Sequence, residues 1–513
     1  MKIAESTQQR NPEHISQELN VLVERLKVNV ETAAKEGDSF DSVERSVLTS
    51  VLQIGHQAIE LLLSLQGDGN LGEDLETADG KTARRSETKS VTPLRSIFGQ
   101  HVFEQFTYAS GMNRPISLRP ISARLSLPAN RWSFLLQEFS QMLGVDQAYD
   151  QAMKNLGEIL HSDFSVDTAE RINGQLGSSA GEFLADLPVP ESGSEGKLLI
   201  ATADCKGVPL VKTDSQKVAA FETARKNPGN RRMATVTSVY SVDPHVRTAE
   251  EITAALFRDE RDDDSPRTKR PKPRNKNTTA HFPESASDES GGQVAVSGIQ
   301  VGIAWIIAQI APRRRSGQVL IALMDGQESL WKTMQRHVNF SAKTVPILDI
   351  LHALAYVWEA ASLFEKADSA RRAFTRKRLM RILRGEVRGV IQGLRSLGTR
   401  HNLKGEKLKS LRRICGYLEK NADRMRYDEY LRRGYPIASG VIEGACRHLV
   451  KDRMERSGMR WTLEGARSML NVRAAFQSDH WRTFFDWHKT NEGYRTHPNR
   501  NSLSNYTPLT LAC

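Results

Sequence analysis

Cysteine is scarce: the 513 residues hold four, Cys205, Cys415, Cys446 and Cys513, and no Cys-x-x-Cys pair. Thiols so scattered give neither a disulfide framework nor a cysteine-built zinc site, and all four are expected to be reduced. Long apolar runs are missing too. No stretch approaches the roughly 20 uninterrupted apolar residues that span a bilayer, and the N-terminus, Met1 to Pro12, is polar where a secretory signal would be charged and then apolar. The expectation is a cytoplasmic protein with no membrane partner. Acidic residues run short in one segment. Between Arg371 and Arg433 there are 20 Lys/Arg against 6 Asp/Glu, a surplus larger than the net +11 of the whole chain, whereas residues 1–90 carry 10 against 16. A polyanion, nucleic acid first, is the partner this suggests, although a solvated helical face has the same composition.

What is present suffices for several domains, since 513 residues at 39% apolar composition can bury a large core. Residues 1–65 read as a helical arm, with Ile15, Leu19, Leu22 and Leu26, then Val47, Val51 and Leu63, at helical spacing. Residues 66–95 are Gly-, Glu- and Ser-rich and read as a linker. Residues 96–190 read as a small mixed module: short strands around Ile97 to Phe106, then helices at 129–143, 146–160 and 166–186. The last two flank a short turn, with Asp167 and Glu170 as a capping box. A helix-turn-helix or an ordinary helical hairpin fits that pattern.

Residues 197–366 have α/β character. Leu198 to Ala203 is a buried-strand run ending in Asp204, Gln318 to Met324 a second ending in Asp325, and Thr344 to Leu348 a third ending in Asp349. Residues 258–292, charged and Pro-rich, read as a disordered insertion. The basic stretch 367–434 reads as an all-helical insertion, 435–480 as the rest of the core with a helix from Gly440 to about Met454 bearing Glu443, and 481–513 as a C-terminal tail. Side chains at strand carboxyl ends converge on a crevice. Carboxylates gathered there suit hard divalent cations, and a pair of such ions can drive in-line phosphodiester chemistry. Each acid alone has a plainer reading, as a turn or cap residue.

Four segments in order carry a resemblance: Ala203-Asp204-Cys205-Lys206-Gly207-Val208-Pro209, Leu323-Met324-Asp325-Gly326-Gln327 with Leu330-Trp331, Leu348-Asp349-Ile350-Leu351-His352, and Tyr435-Pro436 through Glu443-Gly444-Ala445. With Ser457-Gly458-Met459-Arg460-Trp461 they resemble bacterial insertion-sequence transposases of the ISKra type, over roughly residues 95–480. That family belongs to the DDE superfamily. The resemblance implies an α/β ribonuclease-H-like core, a mixed sheet with flanking helices, interrupted by an all-α insertion; the helical N-terminal domains read from the spacing of residues precede it. It implies Asp204, Asp325 and Glu443 as catalytic ligands of Mg2+, with Mn2+ as a substitute. It implies double-stranded DNA, the transposon's terminal inverted repeats and the target, as partner, bound by a homodimer or higher oligomer.

Asp349 and His352 resemble the Asp/Cys-x-x-His motif of Mutator-like elements and are assigned a supporting role, with a core-facing histidine as the other reading. Lys206, Arg447, Lys451, Arg376, Lys377, Arg378, Arg412 and Arg413 are assigned to DNA, Arg447 and Lys451 because they follow Glu443 at intervals of four. Two departures stand out. Cys205 replaces a frequent glycine, and Ala109 and Gly111 fall where relatives carry a cysteine pair, so no zinc is expected. Two other functions remain open on sequence: a transposase-derived DNA-binding protein without catalysis, and a metal-dependent DNA nuclease of the same core.

Overall fold

The two N-terminal helices start and stop where capping chemistry dictates. In the computed structural model, Asn11 caps α1 (Pro12–Glu36) by accepting from Glu13 N at 3.0 Å, and Gly37 ends it in a left-handed conformation. Ser39 caps α2 (Phe40–Ser64), which packs on α1. The structure describes residues 11–511 except 79, 112–113, 220–228, 259–269, 288–291 and 505. They form two units, one of residues up to Ser179 together with Trp481 onward, the other Ala180–His480. Among the described residues α2 is the one helix long and apolar enough, by composition, to cross a membrane. It also carries Asp41, Glu44, Arg45, His56 and Glu60, charges and imidazole that hydrocarbon would strongly disfavour.

The linker expected over 66–95 is instead folded. It supplies β1 (Asp74–Glu76), β2 (Thr82–Arg85) and β3 (Ser90–Ser96). β3 forms a hairpin with β4 (Gly99–Gln105), and β1 and β2 join β5 (Tyr108–Ala109) and β6 (Ile116–Leu118) in a second antiparallel sheet. Only Ala83 of β2 is fully buried, so the alternation that marks a strand is too short to see. Next come α3 (Pro120–Arg124), α4 (Phe134–Gly144), α5 (Tyr149–Leu160) and α6 (Val166–Ala185). The turn between α5 and α6 begins at His161 in a left-handed conformation, and Ser165, not Asp167, accepts from Thr168 N at 3.2 Å. The expected tail is a helix as well, Trp481–Thr496, with Trp481, Phe484 and Phe485 buried in the first unit.

The second unit is built on a mixed five-stranded sheet. β7 (Leu198–Pro209) pairs antiparallel with β8 (Arg231–Val242), which follows α7 (Lys212–Ala219). β8 pairs with β9 (Arg274–His281), after α8 (Ala249–Phe257). A short hairpin, β10 (Glu284–Ser287) with β11 (Gln293–Val296), leads to α9 (Gly298–Arg313). β12 (Val319–Met324) then lies parallel to β7, and after α10 (Glu328–His337), β13 (Thr344–Leu348) lies parallel to β12. The spatial order is β13-β12-β7-β8-β9.

Two expectations fail here. β7 runs through Asp204 to Pro209 instead of ending at it. The insertion 258–292 contains an edge strand of the central sheet, β9, hidden from pattern reading because its buried residues Asn277, Thr278 and Thr279 are polar. They are satisfied by partners: Thr237 and Thr279 hydroxyls meet at 2.8 Å, and Asn277 Nδ2 donates to Gln309 at 2.8 Å. Residues 259–269 and 288–291 of that insertion lie outside the described residues.

After β13 come α11 (Ile350–Phe364), α12 (Asp368–Leu383), α13 (Val387–Arg400), α14 (Gly405–Asn421) and α15 (Tyr427–Arg432), then α16 (Gly440–Ala445), a π-helical turn Cys446–Lys451, α17 (Asp452–Met454) and α18 (Leu463–Gln477). The helices over 368–432 share one core with the sheet. Leu198 and Ile200 of β7 point into it, whereas Leu199, Ala201 and Ala203 point to the opposite core, under α9 and α10. Tyr427 and Tyr430 of α15 donate to the carbonyls of Leu348 and Pro346 at 2.8 and 3.1 Å, fastening the insertion to β13.

Candidate active site

Asp204 is in phase with Leu198 and Ile200, so its carboxylate projects to the face that carries the insertion and α16. Its Oδ1 accepts from Cys205 N at 2.7 Å, and Cys446 Sγ, which follows α16, donates to Oδ2 at 3.5 Å. Asp325 follows β12, the parallel neighbour of β7. Its Oδ1 accepts from Gln327 N at 2.9 Å, and Trp331 Nε1 donates to its carbonyl at 2.5 Å.

The insertion closes over this loop. The Tyr417 ring would stand 2.2 Å from a Cβ at Gly326, so only glycine admits it. Arg424 lies over the Trp331 ring at 4.2 Å, and Lys420 pairs with Glu328.

Asp349 is fully buried and caps α11. Its Oδ1 accepts from Leu351 N at 2.7 Å; its Oδ2 accepts from Ser439 N at 3.1 Å and from the Ser439 hydroxyl. The Ser439 carbonyl in turn accepts from Glu443 N at 3.1 Å, while Asp349 N donates to Met324 O at 2.9 Å. One chain of hydrogen bonds therefore joins the end of β12, the start of α11 and the turn that carries Glu443. The sequence marks Asp349 but not Ser439, whose role depends on two segments 90 residues apart.

Carboxylate and imidazole ligand atoms of Asp349, His352 and Glu443 lie within 4.8 Å of one another. Among the described residues, the expected set of Asp204, Asp325 and Glu443 does not draw together to that distance. It is joined electrostatically. The Asp325 carboxyl is pushed above its ordinary range first by burial and then by the charges of Asp204 and Asp349, against the lowering effects of the Gln327 N–H and His352. Glu443 is pushed up by burial, then by Asp349 and Asp204, with His352 opposing. Four carboxylates thus face one region with a single imidazole to offset them, a charge imbalance that a divalent cation would relieve. Asp349 already accepts three hydrogen bonds and through Ser439 seats Glu443, so within its own cluster His352 and Glu443 are the donors left to a cation, with Asp204 and Asp325 acting on the cluster by charge. Burial first, with the neighbouring Asp charges, pushes Cys205 up to about 11 and holds Cys446 well above the ordinary thiol range, which disfavours a thiolate at either position.

The cations expected to hold DNA divide. Lys377 and Arg412 are exposed on the insertion, and Arg376 is exposed with its guanidinium 5.7 Å from the Phe257 ring centre. Arg378 is half-buried over the Phe374 ring and donates to its carbonyl at 3.1 Å. Arg413 is paired with Glu359. Lys206 is half-buried, two residues beyond Asp204 on the same face of β7. The helix expected to run unbroken from Gly440 to Met454 is interrupted by the π turn, where Arg447 reaches Asp452 at 3.8 Å and Lys451 is exposed. On α6 the exposed residues include Asp167 and Glu170 beside Arg171, acids that a phosphate backbone repels. Set against known proteins, the chain matches no family model and no curated protein.

Proposed function

We propose that this protein is a DDE-type DNA transposase with a ribonuclease-H-like core, cleaving DNA at transposon ends and transferring the new 3′-hydroxyl to target DNA. The observation that carries this reading is electrostatic: the Asp325 and Glu443 carboxyls are both pushed up, first by burial and then by neighbouring carboxylates that include Asp204 in each case. The order of the motifs along the chain supports it, and a mixed sheet with flanking helices is compatible with it.

Magnesium or manganese, when bound, would activate the attacking water or 3′-hydroxyl and stabilise the leaving oxygen. The chain's own residues do the rest. Asp204 and Asp325 present carboxylates from adjacent parallel strands, and Asp349 through Ser439 holds Glu443 opposite them. Lys377, Arg412 and Arg376 neutralise phosphate along the insertion. The DNA is double-stranded, both terminal repeats and target, bound by a homodimer or higher oligomer in the cytoplasm. Recognition of the repeats is assigned to the α5–α6 hairpin, with the exposed Asp167 and Glu170 facing away from phosphate.

The test is a two-step assay on DNA flanked by inverted repeats. Mg2+-dependent release of a 3′-hydroxyl at the ends followed by joining supports transposition. Cleavage without joining would identify a nuclease, and binding without cleavage a DNA-binding protein.

A further inference from the structure

We propose that His56, Glu60 and His101 form a site for a divalent transition-metal ion of the zinc class, which clips α2 to the β3–β4 hairpin. One ligand atom from each of the three lies within 4.8 Å of the other two. His56 and Glu60 are four residues apart on α2 and share a helix face. The hairpin turn rests on that face, because the Phe98 ring would stand 2.3 Å from a Cβ at Gly55. His101, buried on β4, completes the set.

Both imidazoles are already oriented by groups behind them. A backbone carbonyl can only accept, so His56 Nδ1 carries the proton it gives Phe98 O at 3.2 Å, and in the neutral ring the lone pair is on Nε2. His101 Nδ1 meets Glu60 Oε1 at 2.7 Å, with the proton between them, and its Nε2 meets the Ser96 hydroxyl at 2.9 Å. Ser96 Oγ is itself fixed by Phe98 N at 3.0 Å. Such outer partners set the tautomer and direction of metal-binding histidines. A metal ion would take the place of the proton between His101 and Glu60. The two rings lie at 4.7 Å and 18°, a stack that two imidazolium ions would oppose and two neutral ligands would not.

Two imidazoles and one carboxylate favour zinc, cobalt or nickel over magnesium, which prefers oxygen. Tetrahedral zinc with bonds of about 2.0–2.1 Å places its ligand atoms roughly 3.4 Å apart, so ligand atoms already within 4.8 Å of one another close by at most about 1.4 Å on binding. Three protein ligands leave the fourth position to water. The sequence hid this site because its ligands lack cysteine and His101 is separated from Glu60 by 41 residues.

The test uses the full-length chain with Glu443→Gln, which disables the other His-containing donor group, stripped of metal and titrated calorimetrically with Zn2+ and Mg2+. One Zn2+ per chain and no Mg2+ binding at the same concentrations are expected. His56→Ala and Glu60→Gln should each weaken Zn2+ at least tenfold, and Ser96→Ala by about tenfold through the freed His101 ring. His56 is half-exposed, so that variant is expected to fold, which circular dichroism checks. Co2+ in place of Zn2+ should show the visible absorption of a tetrahedral nitrogen–oxygen site, lost in His56→Ala. Absence of Zn2+ binding, or unchanged affinity in folded His56→Ala, overturns the proposal.

Discussion

Replacing Asp349 by Asn removes the acceptor that seats Glu443 while changing almost no volume. Asn can still accept from Leu351 N through its carbonyl oxygen and so keep the cap on α11. Its amide NH2 then faces the Ser439 N–H and hydroxyl, and two hydrogen bonds to a buried carboxylate are lost. Each bond to a charged group contributes about 1.5–3 kcal/mol, so at the low end of that range the two together cost about 3 kcal/mol. Over a unit the size of Ala180–His480, at about 2 cal/mol/K per residue, that is a fall of about 5 °C in Tm. Ser439→Ala, which removes only the hydroxyl, should cost about half as much. Both variants should also weaken Mn2+ binding, since the Glu443 turn hangs from Ser439. Scanning calorimetry with and without Mn2+ reads both effects. A Tm and metal affinity unchanged in Asp349→Asn would refute the positioning role, and lost metal affinity at unchanged Tm would make Asp349 a ligand instead.

Gly326→Ala drives a methyl into the Tyr417 ring, and should cost roughly 1–3 kcal/mol in chemical denaturation while slowing cleavage by displacing Asp325. Lys377→Glu and Arg412→Glu should weaken binding to specific and random DNA alike, each reducing the slope of log K against log salt by about 0.9 or more in fluorescence titrations. Arg378→Glu should act mainly on stability, because that guanidinium is packed on Phe374. His281 is half-buried and held down to about 4 from an ordinary 6.5 by desolvation. The unfolded chain therefore binds this proton first, and stability present above pH 6.5 should be lost as pH falls toward 4, by about 3 kcal/mol. Denaturant melts of His281→Gln should show a shallower loss over that window.

Elements with strong periodicity are legible in the amino-acid order itself: α1, α2, α9 and α11, and the strands β12 and β13, whose uninterrupted apolar runs match burial on both faces. β9 is not, since a strand that buries Thr and Asn in mutual hydrogen bonds has no apolar alternation to detect. β2 escapes notice for brevity, and the helix from Trp481 because its contacts include residues far away in sequence, such as Phe134 against His488. At the site, Asp204, Asp325 and Glu443 stand out by motif. Asp349 reads as a supporting acid of the chemistry, although its oxygens are occupied, because nothing in the order of residues shows that Ser439 lies against it. The basic block looks uniform by composition. In three dimensions Arg378 and Arg413 serve packing and pairing, while Lys377 and Arg412 remain exposed.

The proposed transposase activity requires Asp204, Asp325 and Glu443 together to hold the metal that would cleave DNA. Single-turnover cleavage of an end-labelled terminal-repeat duplex, with DNA affinity and Tm measured on the same preparations, tests that requirement most directly. Asp204→Ala, Asp325→Ala and Glu443→Ala should each abolish Mg2+-dependent release of the 3′-hydroxyl while leaving affinity within a few-fold and the fold intact. Substantial cleavage by any folded member of the three would remove that residue from the site and contradict the account.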